Sequence, residues 1–212
     1  MKSRILLATI AMGLATSAQA ETRYDGFHVE AQGGWDHVGA KAKLDYDDSV
    51  FSYEAKGSRD GVAYGANVGY DTDLGGVLLG TEAGINWSSA KYCTAILGDD
   101  RGCIKPGREI EVGVRVGKQF GPNGPMIYGK VAYVNGQVKI GYRDADFDVR
   151  VHDNRSGVRL AAGIEQKLNR RVYVKAEYRY TDFKAYKLVE GDVSGKLDFD
   201  RNQVIGGVGL LF

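Results

Sequence analysis

Ten charged side chains alternate with apolar residues along the chain, and this spacing is its clearest chemical feature. The acids are Glu30, Glu82, Glu111, Glu165 and Glu177, and the bases are Arg115, Lys130, Arg159, Lys175 and Arg179. Paired carboxylates can act as general acid and base, and rows of fixed charge can line an ion path. The same residues can instead pair with one another inside the protein. The elements that carry them decide between these functions.

Cys93 and Cys103 are the only cysteines in the sequence. If the chain is exported, it matures in an oxidising compartment, which favours a Cys93–Cys103 disulfide. On the chain-entropy account, so short a closed loop contributes about 3 kcal/mol. A metal site is the weaker alternative, because two cysteines without a nearby histidine form an incomplete ligand set. We therefore expect a stiffened loop, and neither a metal site nor a cofactor.

Hydroxyl and imidazole groups offer one enzymatic alternative. Ser88 or Ser89, paired with His37 or His152, could form a lipid-processing site at the edge of a membrane. The spacing of these residues in the sequence places neither histidine beside a serine. We therefore predict no catalytic residues and no enzymatic activity.

Two-residue alternation identifies eight strands that would position the charged residues. They are 24–35, 62–71, 77–88, 108–120, 126–135, 157–168, 172–181 and 202–212. Short turns at 71–76, 121–125 and 169–171 alternate with long connections at 36–61, 89–107, 136–156 and 182–201. An even number of strands with alternating short and long connections is typical of outer-membrane barrels.

Two of the long connections contain alternating residues themselves. Segments 137–142 and 147–151 predict that the fifth and sixth strands continue beyond the bilayer as one long hairpin, in preference to a turn at Asn135-Gly136. Segments 40–46 and 50–56 suggest a second projection of the same kind.

The energy of the two possible orientations predicts which strand face meets lipid. Val112 and Val114 lie on one face of the fourth strand, and Glu111 and Arg115 on the other. Inverting the faces would expose Arg115, Arg159 and Lys175 to lipid, at roughly 6–12 kcal/mol in total. This cost rivals the stability of a whole domain, so the charged face must point inward.

An eight-stranded barrel has an interior only wide enough to be filled by side chains. The ten charges are therefore interpreted as a paired network in the barrel lumen. A narrow, gated ion path through the same charges is the alternative. Acid–base catalysis is disfavoured because a filled lumen offers no substrate cleft.

Aromatic residues fall near both ends of the predicted strands. The expected outer belt contains Trp35, Tyr64, Trp87, Tyr133, Tyr178 and Tyr180, and the inner belt contains Tyr70, Phe120 and Phe212. Such rings are expected where hydrocarbon meets the lipid headgroups.

The beginning of the chain has the form of a secretory signal peptide. Lys2 and Arg4 precede an apolar run over 5–15, and Ala18-Gln-Ala20 matches a cleavage site. The run is too short to span a bilayer, which makes an N-terminal anchor the weaker alternative. We therefore expect a signal peptide at 1–20 and one domain at 21–212. The formal net charge of +1 gives no basic excess to suggest nucleic acid.

The end of the chain is an apolar strand with an aromatic terminus. Val208, Leu210 and Phe212 share one face, and this arrangement resembles the insertion signal of Gram-negative outer-membrane barrels. Together with the signal peptide and the eight strands, it makes residues 21–212 similar to the OmpA-like and opacity-protein family. Two departures are that no peptidoglycan-binding domain follows the barrel and that Leu210 stands where many relatives have an aromatic residue.

This resemblance implies an all-β fold, an eight-stranded antiparallel transmembrane up-and-down barrel with short periplasmic turns and long extracellular loops. It implies export to the Gram-negative outer membrane, with lipid, lipopolysaccharide and the barrel-assembly machinery as partners. A host or cell-surface ligand at the loops is a further expected partner. The implied role is envelope integrity and adhesion-type surface contact. A low-conductance, porin-like channel is the alternative, and a soluble lipocalin-like barrel would need no detergent for extraction.

Overall fold

The computed structural model describes residues 24–46, 52–95, 101–121, 124–143, 148–190 and 193–212. The expected signal peptide at 1–20 lies outside them. The strands are β1 (Gly26–Tyr46), β2 (Ser52–Asp73), β3 (Val77–Ser88), β4 (Tyr92–Ala95), β5 (Arg101–Gln119), β6 (Met126–Arg143), β7 (Asp148–Lys167), β8 (Val172–Glu190) and β9 (Val193–Leu211). None of the described residues forms a helix long and apolar enough to cross a membrane.

Eight of these strands form a closed antiparallel ring. β1 pairs with both β2 and β9, and β3 pairs with β5, so the order around the ring is β1-β2-β3-β5-β6-β7-β8-β9. The short β4 pairs with β5, where Cys93 lies opposite Cys103. The predicted eight-stranded barrel is confirmed.

The faces of the strands have the predicted orientation. On β5, Val112 is 58% exposed, whereas the neighbouring Glu111 is 1% exposed. Because successive side chains in a strand point to opposite faces, the same alternation continues around the ring. The apolar side chains form the outer surface, and the charged side chains fill the lumen.

Three short turns and the carboxyl terminus lie at one end of the barrel, which we call the turn end. Gly75 and Gly76 adopt positive φ angles of 81° and 95° in the turn between β2 and β3, a backbone conformation that favours glycine. Asn169 organises the turn between β7 and β8, because its side-chain oxygen accepts hydrogen bonds from the backbone N–H groups of Arg171 and Val172, both at 2.9 Å.

Long hairpins lie at the opposite end, which we call the hairpin end. The pairing of β1 with β2 extends to Asp45 and Ser52, that of β6 with β7 to Arg143 and Asp148, and that of β8 with β9 to Glu190 and Val193. The first two extensions were predicted, and Asn135 lies within a continuous strand opposite Ser156.

The predicted connection at 182–201 is wrong, because most of it is paired strand. The predicted connection at 89–107 also contains strand residues, in β4 and the first part of β5. Both segments lie at the hairpin end, where strands have no lipid-facing side. The contrast between an apolar outer face and a polar inner face, on which the prediction depended, is therefore lost there.

Candidate functional site

The lumen is closed at the turn end by large side chains. Tyr24, Leu78, Met126 and Tyr128 form a buried apolar cluster. The hydroxyl of Tyr24 donates to the backbone oxygen of Glu165 at 3.0 Å and accepts from the backbone N–H of Lys167 at 3.1 Å. Tyr24, two residues before the first strand, is thus fixed across the lumen against β7.

Arg115 on β5 organises the first layer of charge above this cluster. Its guanidinium donates to Asp71 on β2 through Nε at 2.9 Å, and to Glu165 on β7 through Nη1 at 2.5 Å. His28 on β1 completes the layer, with Nδ1 3.3 Å from the carboxylate of Asp71. The layer therefore connects four strands around the ring.

Lys130 on β6 is the centre of the next layer. Its ammonium group lies 2.7 Å from Glu82, 3.3 Å from Glu111 and 3.2 Å from Glu177. One cation thus serves carboxylates on three other strands. In the same layer Lys175 lies 2.6 Å from Glu30.

Three arginines form the layer nearest the hairpin end. Arg159 contacts Glu109 at 2.6 Å and also binds Glu111. Arg201 lies 2.7 Å from Glu109 on β5, which is on the opposite side of the ring from β9. Arg179 binds Glu177 and donates to the side-chain oxygen of Gln32 at 2.5 Å.

All ten lumen charges named from the sequence are inward-facing, and none is more than 5% exposed. Among the residues that the structure describes, four further buried residues with acidic, lysine or arginine side chains were missed, namely Asp36, Asp71, Glu109 and Arg201. Glu109 lies two residues before Glu111 and therefore points to the same face of β5. This spacing could have identified Glu109 from the sequence. Asp36 and Arg201 lie one residue outside the predicted ends of their strands, and Asp71 lies where the predicted strand 62–71 meets the predicted turn 71–76.

Neutral polar side chains extend the network. Asn67 donates to Glu82 at 3.0 Å and to Glu30 at 3.2 Å, and Gln32 donates to Asn86 at 2.6 Å. These amides supply hydrogen bonds to carboxylates that a single ion pair does not saturate. Complete pairing matters because an uncompensated buried charge is strongly destabilising.

Glycines provide space for the largest lumen side chains. A Cβ atom on Gly209 would lie 2.1 Å from Cζ of Tyr173, and one on Gly163 would lie 2.6 Å from the hydroxyl oxygen of Tyr128. Both tyrosines are buried and donate to lumen carboxylates, Tyr173 to Glu30 at 3.2 Å and Tyr128 to Glu177. Glycine at these positions therefore lets the tyrosines fill the lumen.

The described lumen carries more negative than positive charge. Eight carboxylates are buried there, on Glu30, Asp36, Asp71, Glu82, Glu109, Glu111, Glu165 and Glu177. Six lysine and arginine side chains oppose them, Arg115, Lys130, Arg159, Lys175, Arg179 and Arg201. A cation that entered this lumen would be favoured over an anion.

Ser88 and His37, one pair of the enzymatic alternative, do not meet. The hydroxyl of Ser88 donates to Asp36 inside the barrel and accepts from the backbone N–H of Ala90 at 3.1 Å. His37 points to the other face of β1, where Nδ1 lies 2.8 Å from Asp60 and the ring stacks on Trp35. The side chain of His152 lies outside the described part of the chain.

The cysteines lie opposite each other in the register of β4 and β5, although their side chains are outside the described part. Opposed residues in antiparallel strands have Cα atoms about 4.5–5.5 Å apart, a separation that a disulfide can bridge. The backbone register is thus compatible with the expected bond.

The residues expected in the aromatic belts are all on the outer surface. They are Trp35, Tyr64, Tyr70, Trp87, Phe120, Tyr133, Tyr178, Tyr180 and Phe212. Val208 and Leu210 share this surface with Phe212. The backbone N–H of Phe212 donates to the backbone oxygen of Phe27 at 2.9 Å, so the last residue is paired to the first strand.

A cavity of about 410 Å³ lies at the hairpin end, above the arginine layer, and we call it the cup. Its floor contains Glu109 and Arg201. Its walls are formed largely by the apolar side chains Val38, Ala40, Ala55, Val138, Phe183 and Phe199. The inner face of the barrel therefore changes from charged to apolar where the strands leave the aromatic belt.

An exposed ion pair lies on β2 at the hairpin end. Lys56 lies 2.8 Å from Glu54 on the exposed part of β2. The hydrogen bond from Lys56, together with its charge, holds the pKa of Glu54 below its usual range.

Comparison with protein families identifies the class of protein to which this barrel belongs. Residues 6–212 match the family described as outer membrane protein beta-barrel domain. The chain belongs to this family, and the outer membrane is its location. A search of curated proteins finds no match.

Solved structures with the same fold include OprG from Pseudomonas aeruginosa, with 14% identity, a TM-score of 0.54, and coverage of 91% of this chain and 99% of OprG. The outer membrane protease OmpT from Escherichia coli has 9% identity and a TM-score of 0.51, with coverage of 92% and 99%. Ail, the attachment invasion locus protein of Yersinia pestis, has 11% identity and a TM-score of 0.39, with coverage of 82% and 98%. At these identities, the likeness to OprG and OmpT shows the fold alone.

Proposed function

We propose that this chain is an exported outer-membrane barrel that contributes to envelope integrity and presents its long hairpins for surface contact. In this proposal residues 1–20 are removed on export, and the lumen is a structural core without a transport function. The observation that carries the proposal is the pairing of every buried carboxylate in the described lumen with a lysine or arginine.

Several of the pairs join strands that are not neighbours, which supports a structural role for the lumen. Arg201 on β9 binds Glu109 on β5, four positions away around the ring, and Lys130 on β6 binds Glu82 on β3. Ion pairs across the lumen resist flattening or opening of the ring. Because they lie in a low-dielectric interior, breaking any one would leave a costly unpaired charge.

The hairpins support the surface-contact part of the proposal. β6 and β7 remain paired well beyond the level of Tyr133, up to Arg143 and Asp148. Strands of this length carry their tips away from the lipid surface, where loops commonly hold binding residues. The partners we propose at this end are lipopolysaccharide at the base of the hairpins and a host or cell-surface ligand at the tips.

The two roles can be separated by shortening one hairpin. Residues 138–153 can be replaced by Asn-Gly, because Gln137 and Asn154 are directly opposed and a two-residue turn can join them. A strain lacking the chain should become sensitive to detergent. The shortened protein should restore resistance while losing adhesion to host cells. Failure of the full-length protein to restore resistance would contradict the envelope role, and retained adhesion would contradict the assignment of contact to this hairpin.

A second candidate function is a narrow ion path, and the excess of lumen carboxylates is the observation that favours it. If ions pass, the path should prefer cations, and Lys130→Glu should strengthen this preference by adding negative charge beside Glu82. Planar-bilayer recording of refolded protein separates the candidates. The structural proposal predicts no current steps across the bilayer. Resolved, cation-selective current steps from the unmodified protein would support the channel.

A further inference from the structure

We infer that the cup is a binding site for a small anionic amphiphile, a molecule with one apolar chain and one negatively charged head group. This goes beyond the envelope role, which needs no ligand. The cavity of about 410 Å³ has the size and the mainly apolar lining typical of small-molecule sites.

The wall of the cup is mainly apolar. Phe183 on β8 and Phe199 on β9 are directly opposed in the register, and both line the cup. Val38 and Val138 line it from β1 and β6. Apolar side chains around an unfilled space lose packing contacts that an apolar ligand would restore.

The floor gives the cup a closed end. The side chain of Arg201 is 4% exposed and binds Asp36 and Glu109 together. Because these three groups satisfy one another, the floor offers little to a charged ligand. The apolar end of a ligand is therefore expected inside, with its head group directed toward an opening.

A gap in the wall supplies that opening. β3 ends at Ser88, and the backbone N–H of Ser89 still donates to the backbone oxygen of Val62, so the described part of β2 from Ser52 to Gly61 is paired in the sheet only with β1. The residues facing each other across the gap include Arg59 on one side and Lys91 and Arg108 on the other. The gap lies directly above the outer aromatic belt, at the level of Trp87.

The charge at the gap is positive. Lys91 and Arg108 are exposed and form no ion pair with any residue that the structure describes. Both can therefore donate to a carboxylate, sulfonate or phosphate head group, and charge-assisted hydrogen bonds are the strong ones. The aromatic wall lies on β8 and β9, away from the gap. A ligand with its chain against Phe183 and its anionic head group near Arg108 would contact both the apolar wall and the basic residues at the gap.

Binding can be measured by calorimetry on barrel refolded in amphipol, with decanoate as the probe. Decanol and decyltrimethylammonium serve as neutral and cationic probes of the same chain length. We expect decanoate to bind more tightly than either, and affinity to rise about fourfold for each CH₂ added between hexanoate and decanoate. Equal affinity for decyltrimethylammonium would overturn the assignment of the head group.

Gly57 provides a variant that fills the cup. It lines the cavity, and a Cβ atom there would have no atom within 4 Å. Gly57→Trp should weaken decanoate binding by at least tenfold, while Lys41→Trp on the outer face of the paired strand leaves it unchanged. Both variants must show the heat-dependent gel mobility of the folded barrel. A folded Gly57→Trp protein with unchanged affinity would overturn the proposal.

The head-group site has its own variant. Lys91→Gln combined with Arg108→Gln should remove the preference for decanoate over decanol, and Lys41→Gln should not.

The source of the natural ligand is tested in nanodiscs. Loss of decanoate binding when lipopolysaccharide is included assigns the cup to an envelope lipid, whereas unchanged binding assigns it to a soluble amphiphile. Absence of saturable decanoate binding in amphipol would contradict the inference.

Discussion

Arg201 on β9 binds both carboxylate oxygens of Asp36 on β1, with Nε–Oδ1 at 2.6 Å and Nη2–Oδ2 at 2.7 Å. These are the last and first strands of the ring, and the two residues are separated by most of the chain. The bidentate pair therefore holds the seam at which the barrel closes. The contact of Arg201 with Glu109, at 2.7 Å, connects this seam to the opposite wall.

Removing one partner at the seam should be costly. Asp36→Asn leaves the buried Arg201 with less compensating charge, and we expect a loss of about 3–5 kcal/mol in the free energy of unfolding. Asp198→Asn is the matched control, because Lys196 and Asp198 form an ion pair at 2.8 Å that is largely exposed. The control should lose no more than about 1 kcal/mol. Urea unfolding in lipid vesicles measures both, and equally small losses would refute a structural role for the seam pair.

Glycine packing in the lumen can be tested with a pair of equivalent substitutions. Gly209→Ala would place Cβ against the buried ring of Tyr173, and we expect a destabilisation of about 1–3 kcal/mol from overpacking. Gly206→Ala on the outer face meets no atom closer than 3.8 Å and should be nearly neutral. The comparison uses the same unfolding measurement. A neutral Gly209→Ala would mean that Tyr173 does not occupy the lumen as described.

The opposed cysteines should be oxidised in the mature protein. Because the backbone places Cys93 opposite Cys103, we propose a disulfide that ties β4 to β5. Iodoacetamide should leave the mass of the unreduced protein unchanged and add two labels after reduction. Cys93→Ser should then make Cys103 reactive without reductant. Labelling of both cysteines in the unreduced protein would exclude the bond.

The C-terminal strand should matter more for assembly than for stability. We propose that the barrel-assembly machinery recognises Val208, Leu210 and Phe212. Phe212→Ser should lower the amount of folded protein in outer-membrane fractions several-fold, while protein refolded in detergent keeps nearly its full stability. Val204→Ser, on the same face but further from the terminus, is the control. Equal reduction of the two variants in outer-membrane fractions would contradict a terminal signal.

The membrane-spanning part of the fold could be predicted because lipid imposes a simple rule on it. Val112 and Arg115 differ by an odd number of positions, so one must face lipid and the other the lumen, and only one choice is energetically acceptable. This rule identified the ten lumen charges. The same rule also predicted the number of strands, because each membrane-spanning strand can be recognised by its own apolar face.

The hairpin end could not be predicted as well, because water replaces lipid there. Phe183 and Phe199 point inward, into the cup, whereas apolar side chains in the membrane point outward. Along a single strand, the inward-facing side chains are therefore charged up to about the level of Asp36 and Arg201 and apolar beyond it. A search for lipid-facing strands ends at this level, and for this reason both residues and the cup were missed. The opening of the cup also depends on the end of β3 at Ser88. The residues that line the cup are distant from one another in sequence.

The native tryptophans allow the most direct test of the central claim, that apolar side chains face lipid while paired charges fill a closed lumen. Trp35 and Trp87 are the only two tryptophans, and both lie on the outer surface near the belt. In bilayers, lipids brominated near the headgroup should quench their fluorescence more strongly than lipids brominated near the end of the acyl chain. A single tryptophan placed at Val112, with Trp35 and Trp87 changed to phenylalanine, should show the reverse order. Quenching of the Val112→Trp protein by aqueous iodide, but not by either brominated lipid, would contradict the account.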